Sequence, residues 1–275
     1  MAEARDTAGA TTGLLRLAEE AVASVEPVFL DGLGARPKTM KGTGDFATEK
    51  DLEIEELLRH RLGEGSGLPV LGEEHGGEPD RERYWVVDPI DGTTNYATAN
   101  PLCAILVALV DGGRPVVAVT AAPTLGIRLS AAAGGRLRDR GEELPPREES
   151  PDVMAQVGFS SISSHSHPTP SEDRRLELLD ELGRSYLRPR ITGSIGLDLS
   201  FAARGFYGAA VSLSPHVWDN AAGALLVEAA GGLATDLAGN PWRVGADGLV
   251  AGAPRAHAEV LRRVEQVRRR GGGAG

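Results

Sequence analysis

The chain of 275 residues contains one cysteine, Cys103. A lone thiol closes no internal disulfide, so no disulfide framework holds this fold together. Cys103 lies in an apolar, strand-like run and reads as a packed core residue ahead of a nucleophile. Long hydrophobic runs are missing as well. None approaches the roughly 20 apolar residues that span a bilayer, which excludes a membrane-spanning helix. The stretch from Met1 to Gly13 is polar and lacks the apolar centre of a signal peptide, so a reducing cytoplasm is the expected home. A basic excess is absent too. Lysine and arginine number 29 against 39 acids, a net charge of −10, which argues against nucleic acid as the main partner. No internal repeat is visible. The length suits one large domain or two modest ones.

What the chain does have is an unusual placement of acids. Tyr84 to Val87 is an apolar run that reads as a buried strand. It leads into Asp88-Pro89-Ile90-Asp91-Gly92-Thr93-Thr94-Asn95. Like charges this close raise each other's pKa unless something neutralises them. A divalent cation is the usual neutraliser, and oxygen donors select a hard ion such as Mg²⁺, Mn²⁺ or Ca²⁺. Pro89 fixes its own φ and restrains Asp88, which stiffens the turn. The plain alternative is a strand followed by ordinary turn formers. Three further segments weaken that alternative: Asp45-Phe46-Ala47-Thr48-Glu49-Lys50-Asp51, Gly72-Glu73-Glu74-His75-Gly76, and Trp218-Asp219-Asn220-Ala221-Ala222-Gly223.

The periodicity predicts a helix over about 12–28, a mobile glycine-rich loop from Asp31 to Gly44, and a second helix from Thr48 to Leu62. Thr48 and Asp51 have the form of a capping box. Strand patterns fall at 68–71, 84–87, 103–110, 115–121 and 127–132, as an antiparallel or mixed sheet. Residues 134–151 read as a surface hairpin and connection. Beyond it come a strand at 153–159, helices at 172–184, 196–204 and 219–230, and strands at 187–191, 208–213, 233–236 and 247–251. A last helix covers 255–268. This alternation argues for α/β layering, divided into an N-terminal α+β half (1–145) and a C-terminal α/β half (146–275).

Together the Gly-Glu-Glu, Asp-Pro-Ile-Asp-Gly-Thr-Thr-Asn and Trp-Asp-x-Ala-Ala-Gly elements, in that order, resemble the inositol monophosphatase family of Mg²⁺-dependent, lithium-sensitive phosphatases. The resemblance runs from about Leu14 to about Val264. It implies a layered α-β-α-β-α sandwich of the inositol monophosphatase and fructose-1,6-bisphosphatase type. It implies hydrolysis of a small phosphate monoester by water activated at two or three Mg²⁺ ions. Members are often dimers, so a homodimer is the implied assembly.

Carried over to this chain, the family pattern assigns Glu73, Asp88 and the Ile90 carbonyl to a first metal. Asp88, Asp91 and Asp219 go to a second, and Glu73 helps a third. Thr93 would orient the attacking water, with Asp45 as its acidic partner, and the Gly92 and Thr93 amides would hold phosphoryl oxygens. Asp91, Gly193, Ser194 and Ser212 would form the rim that meets the alcohol. Each has a plainer reading: Asp219 as a helix N-cap, Asp45 as a solvated loop acid, Glu74 as a solvated glutamate. His75, His165 and His167 read poorly as metal ligands, because the acids call for a hard ion. His216 is better placed to touch substrate, although a structural role fits it well. The arginines Arg262, Arg263, Arg268, Arg269 and Arg270 read as a solvated helix end.

Ser212 is a departure. Members that act on inositol phosphates carry a glutamate seven residues before the Trp-Asp aspartate, and serine offers no charge-assisted bond to a diol. Tyr96 to Pro101 also differs from the His-Gly pair of many relatives. Both departures put myo-inositol 1-phosphate in question as the substrate. Histidinol-phosphate, fructose-bisphosphate and 3′-phosphonucleotide hydrolysis stay open as alternatives, as does a regulatory or scaffold role without turnover.

Overall fold

The computed structural model describes residues 2–42, 45–78, 82–147, 155–162 and 170–271. Its elements, in chain order, begin with α1 (Ala2–Asp31), the strands β1 (Pro37–Gly42) and β2 (Asp45–Thr48), and α2 (Glu49–Ser66). Next come β3 (Val70–Gly72), β4 (Arg83–Asp91), the short helix α3 (Thr93–Ala97), β5 (Ala104–Asp111), β6 (Arg114–Ala122) and β7 (Ile127–Ala132). The two-residue strands β8 (Arg138–Asp139) and β9 (Glu142–Glu143) follow. The remainder is β10 (Gln156–Phe159), α4 (Glu172–Gly183), β11 (Arg188–Arg190), α5 (Ile195–Arg204), β12 (Ala209–Ser212), α6 (Val217–Ala229), β13 (Leu233–Thr235), β14 (Leu249–Gly252) and α7 (Pro254–Gly271).

Strands β3 to β9 form one seven-stranded sheet in sequence order. It is mixed, since β3 runs parallel to β4 while the later neighbours are antiparallel. The second sheet has five strands in the order β11-β10-β12-β14-β13. Side chains alternate across a strand, and both faces of β4 are buried. Trp85 and Val87 pack with Val22, Phe29, Leu58 and Leu62 of α1 and α2. Tyr84 and Val86 face the other way, into a core shared with Leu197 and Leu199 of α5 and with Leu225 and Leu226 of α6. That core also takes Ala210, Leu249 and Ala251 from the five-stranded sheet. The opposite face of that sheet packs on Leu178 and Leu182 of α4 and on Val260 and Val264 of α7. The layers are thus α1/α2, sheet, α5/α6, sheet, α4/α7, the five-layered sandwich expected.

Two local expectations need correction. The first helix is longer than 12–28, and Pro27 lies in its last turns without ending it. The segment 31–44 is not one irregular loop, because β1 pairs with β2 as an antiparallel hairpin. The surface hairpin expected near 134–151 is present as β8 and β9, which also extend the seven-stranded sheet. His165 and His167 lie outside the described residues.

Candidate active site

Strand β4 carries Asp88 and Asp91 to its end. Asp88 pairs with Leu106 and Asp91 with Ala104 across β5, and the register breaks between them at Pro89. That irregularity brings both acids toward one end of the sheet. Gly92 then takes φ +88°, a left-handed conformation that favours glycine, and α3 starts. A Cβ on Gly92 would stand 3.1 Å from the Gly193 carbonyl and from the Leu102 carbonyl, so the close approach itself demands glycine. Asn95 Nδ2 donates to the carbonyls of Leu102 (2.6 Å) and Thr192 (2.8 Å), which ties α3 to the 192–194 turn.

The acids are buried and crowded. Asp88 is 2% exposed. Burial pushes its pKa well up, and Glu73, Asp91 and Asp219 push it further by charge repulsion. Asp91 is raised to about 6, chiefly by burial, with Glu73 adding repulsion. The Ser194 hydroxyl and the Gly196 N–H (2.7 Å) donate to Asp91 Oδ2 and oppose that rise. Glu73 leaves β3 on a turn whose N–H donates to the Val87 carbonyl at 3.2 Å. Asp219 occupies the first turn of α6, where the helix dipole favours a carboxylate. The N-cap of α6 is His216, so the N-cap reading of Asp219 does not hold. The His216 ring instead stacks on Trp218 at 4.6 Å, a structural contact.

The structure therefore brings Glu73, Asp88, Asp91 and Asp219 within electrostatic reach of one another. Among the described residues, no three His, Cys, Asp or Glu side chains already form a metal-holding group. The donor set nonetheless fits a hard divalent cation completed by water: all oxygen, strongly repulsive, with Glu73 and Asp219 half-buried. The Ile90 carbonyl is at the same turn and accepts from Thr93 Oγ1 at 3.1 Å.

Thr93 has an acidic neighbour that the sequence reading did not assign to it, Asp51. Thr93 Oγ1 stands 3.5 Å from Asp51 Oδ1, a long contact. The Asp45 side chain lies outside what the structure describes. Asp51 is buried, and burial raises its pKa above the usual carboxylate range. Its Oδ2 accepts from the Thr48 N–H (2.8 Å) and hydroxyl (2.5 Å), which completes the capping box of α2. Glu55 is a second residue that sequence reading passed over. It is fully buried, and its carboxylate accepts from the backbone N–H groups of Glu74 (2.7 Å) and His75 (3.0 Å) and from Arg59 Nε (2.7 Å). It thereby fixes the turn that carries Glu73. A signal for both existed. Asp51 and Glu55 share one face of α2 with Leu58 and Leu62, and acids on a core-facing stripe call for an explanation.

Other expectations resolve simply. Ser212 is fully buried in β12, and its Oγ accepts from the Ser214 N–H at 3.3 Å. Gly193 and Ser194 line a cavity beside Asp91 and Asp219. Burial pushes the Cys103 thiol up to about 12, consistent with a packed and unreactive residue. Arg262 and Arg269 make exposed pairs with Glu259 and Glu265, as a solvated helix end should, whereas Arg263 and Arg270 pair with Glu181 and tie α7 to α4.

The model of the inositol monophosphatase family matches residues 6–269. The chain belongs to that family. An inositol-1-monophosphatase, ImpA, of Mycolicibacterium smegmatis is 40% identical over 257 residues, 93% of each chain. A probable inositol 1-monophosphatase, ImpA, of Mycobacterium tuberculosis is 44% identical over 235 residues, 85% of this chain and 87% of the relative. Another member, a Nus factor SuhB of Xylella fastidiosa, is 33% identical over 72% of each. The fold of the Thermotoga maritima IMPase superposes with a TM-score of 0.80 at 24% identity, covering 93% of this chain and 98% of that one. The protein is a phosphoric monoester hydrolase of the inositol monophosphatase family. Among the described residues, no helix is long and apolar enough to cross a membrane.

Proposed function

We propose that this inositol monophosphatase family member hydrolyses a small polyol phosphate with Mg²⁺ held by Glu73, Asp88, Asp91, Asp219 and the Ile90 carbonyl. The supporting observation is the group of buried, mutually repelling carboxylates at the end of β4, beside a hydroxyl that contacts a further acid. When bound, Mg²⁺ supplies charge neutralisation of the phosphoryl oxygens and acidifies water. The protein's own groups supply position. The Thr93 hydroxyl stands between the Ile90 carbonyl and Asp51, so its lone pairs are oriented for a water that Asp51 can relieve of a proton. The Gly92 and Thr93 amides hold phosphoryl oxygens, where glycine permits close backbone approach. Ser194 and Gly196 fix Asp91 by donating to its Oδ2. Glu55 keeps Glu73 in place through its own turn.

Myo-inositol 1-phosphate is the first substrate to test, because the relatives at 40% and 44% identity are named for that activity. A scaffold without turnover has no use for the Thr93 and Asp51 pair. The deciding experiment measures hydrolysis of a panel of phosphate monoesters with Mg²⁺ and with EDTA. Turnover that needs Mg²⁺ and favours polyol phosphates is expected. Full activity in EDTA, or none on any ester with Mg²⁺, would refute the proposal.

A further inference from the structure

A cavity of about 160 Å³ opens beside the carboxylate cluster, lined among others by Asp91, Asp219, Ser194, Asp198, Arg175 and Ser214. It has room for about five waters, the bulk of a small polyol and less than that of a nucleoside. Asp198 is the residue in it that lacks a structural explanation. It sits on α5, within the apolar sequence Ile195-Gly196-Leu197-Asp198-Leu199, and is 1% exposed. Its Oδ1 accepts from Thr192 Oγ1 at 2.9 Å. Among the described residues it has no ion pair, and Oδ2 has no hydrogen bond. Burying a carboxyl without such compensation is costly.

Its position is nonetheless held with care. Thr192 belongs to the turn that also presents Gly193 and Ser194 to the reaction centre. Behind Asp198, a Cβ on Gly158 would stand 2.7 Å from the Asp198 Cβ, so the strand must carry glycine for this side chain to fit. Arg175 lines the same space without neutralising it. Its Nε, Nη1 and Nη2 donate to the carbonyls of Pro170, Ser161 and Leu213, which fixes the walls. A few fixed polar groups in a small cavity are what orients a ligand.

We propose that Asp198 is the specificity residue of this enzyme, accepting a hydrogen bond from a hydroxyl of the substrate's alcohol. This rests on the polyol phosphatase reading above.

The test uses the full-length protein with Mg²⁺ and two esters, myo-inositol 1-phosphate and cyclohexyl phosphate. Their rings match and only the hydroxyls differ. The wild type is expected to prefer the inositol ester in kcat/KM. Asp198→Asn, which keeps an acceptor for Thr192, should cut that preference several-fold to about 10-fold, with the loss falling on the inositol ester and mainly in KM. Asp198→Ser should do the same, and either variant suffices if the other fails to fold. An equal loss on both esters would mark a structural role and overturn the proposal, as would a preference that survives both substitutions. A wild type that turns over both esters equally overturns the Asp198 role alone and leaves the phosphatase reading standing. A wild type that hydrolyses neither brings down both.

Discussion

Asp198→Asn should make the protein more stable, by an amount that grows with pH. Burial pushes the Asp198 carboxyl up to about 8 from an ordinary 3.8, with repulsion from Asp91 adding to the rise and the Thr192 hydrogen bond opposing it. About four pKa units at about 1.36 kcal/mol each set a ceiling of roughly 5 kcal/mol on the cost of ionising this group in the fold. The sign follows from proton binding. The folded protein holds this proton more tightly than the unfolded chain does. The stability linked to it is therefore fully present below about pH 4, and is lost as pH rises to about 8, beyond which the curve flattens. Asparagine has no such proton and keeps the bond from Thr192. The stability difference between variant and wild type should widen by up to about 4 kcal/mol between about pH 5 and about pH 9. Urea unfolding followed by far-ultraviolet circular dichroism, in EDTA, reads it directly. Both proteins keep the Asp88 cluster, so most of its titration cancels in the difference. A difference flat with pH would show that Asp198 is not buried in a costly ionised form. A difference that shrinks as pH rises would show that the ionised carboxylate is itself stabilised by the fold.

Three other substitutions probe the machinery. Asp88→Asn should lower kcat/KM by at least about 10³-fold, about 4 kcal/mol of lost transition-state stabilisation. It should also raise the unfolding midpoint in EDTA, because burial and three neighbouring acids oppose the ionised form of Asp88; near wild-type turnover would remove Asp88 from the ligand set. Thr93→Ala should reduce kcat about 10²-fold or more, with KM and the Mg²⁺ half-saturation within a few-fold, and Asp51→Asn should match it. The double variant should fall little further, so fully additive losses in steady-state kinetics would separate the two residues. Gly196→Ala would place a Cβ 2.4 Å from Leu106 Cδ2 and 2.9 Å from Asp91 Oδ2. It should cost about 1–3 kcal/mol in thermal or urea unfolding and lower activity through Asp91; a silent substitution would mean that α5 shifts freely against the sheet.

Local rules made most of this molecule legible. The apolar alternation of β4 to β7 and the helical stripes of α1, α2 and α6 are strong because each buries one or two faces, and a shift of register would expose them. The acids at the end of β4 were equally visible, since two aspartates around a proline at the end of an apolar strand have few uses. What escaped was decided by tertiary packing. Asp51 reaches Thr93 because Thr48 caps α2, which turns position 51 inward on the face of Leu58 and Leu62, and nothing local in the sequence announces that contact. The same side chain that closes the capping box thereby reaches the reaction centre, so the start of α2 and the proposed water-activating pair are one structure. Glu55 follows one helical turn later and reaches the Glu73 turn by the same geometry. Asp198 was hidden for a related reason. In sequence it is a single acid interrupting an apolar helix, and only the meeting of α5 with β10 and the 192–194 turn gives it a cavity to face. In each case an acid on a buried helical face spends stability for position. Such acids mark the places where function, more than folding, set the residue.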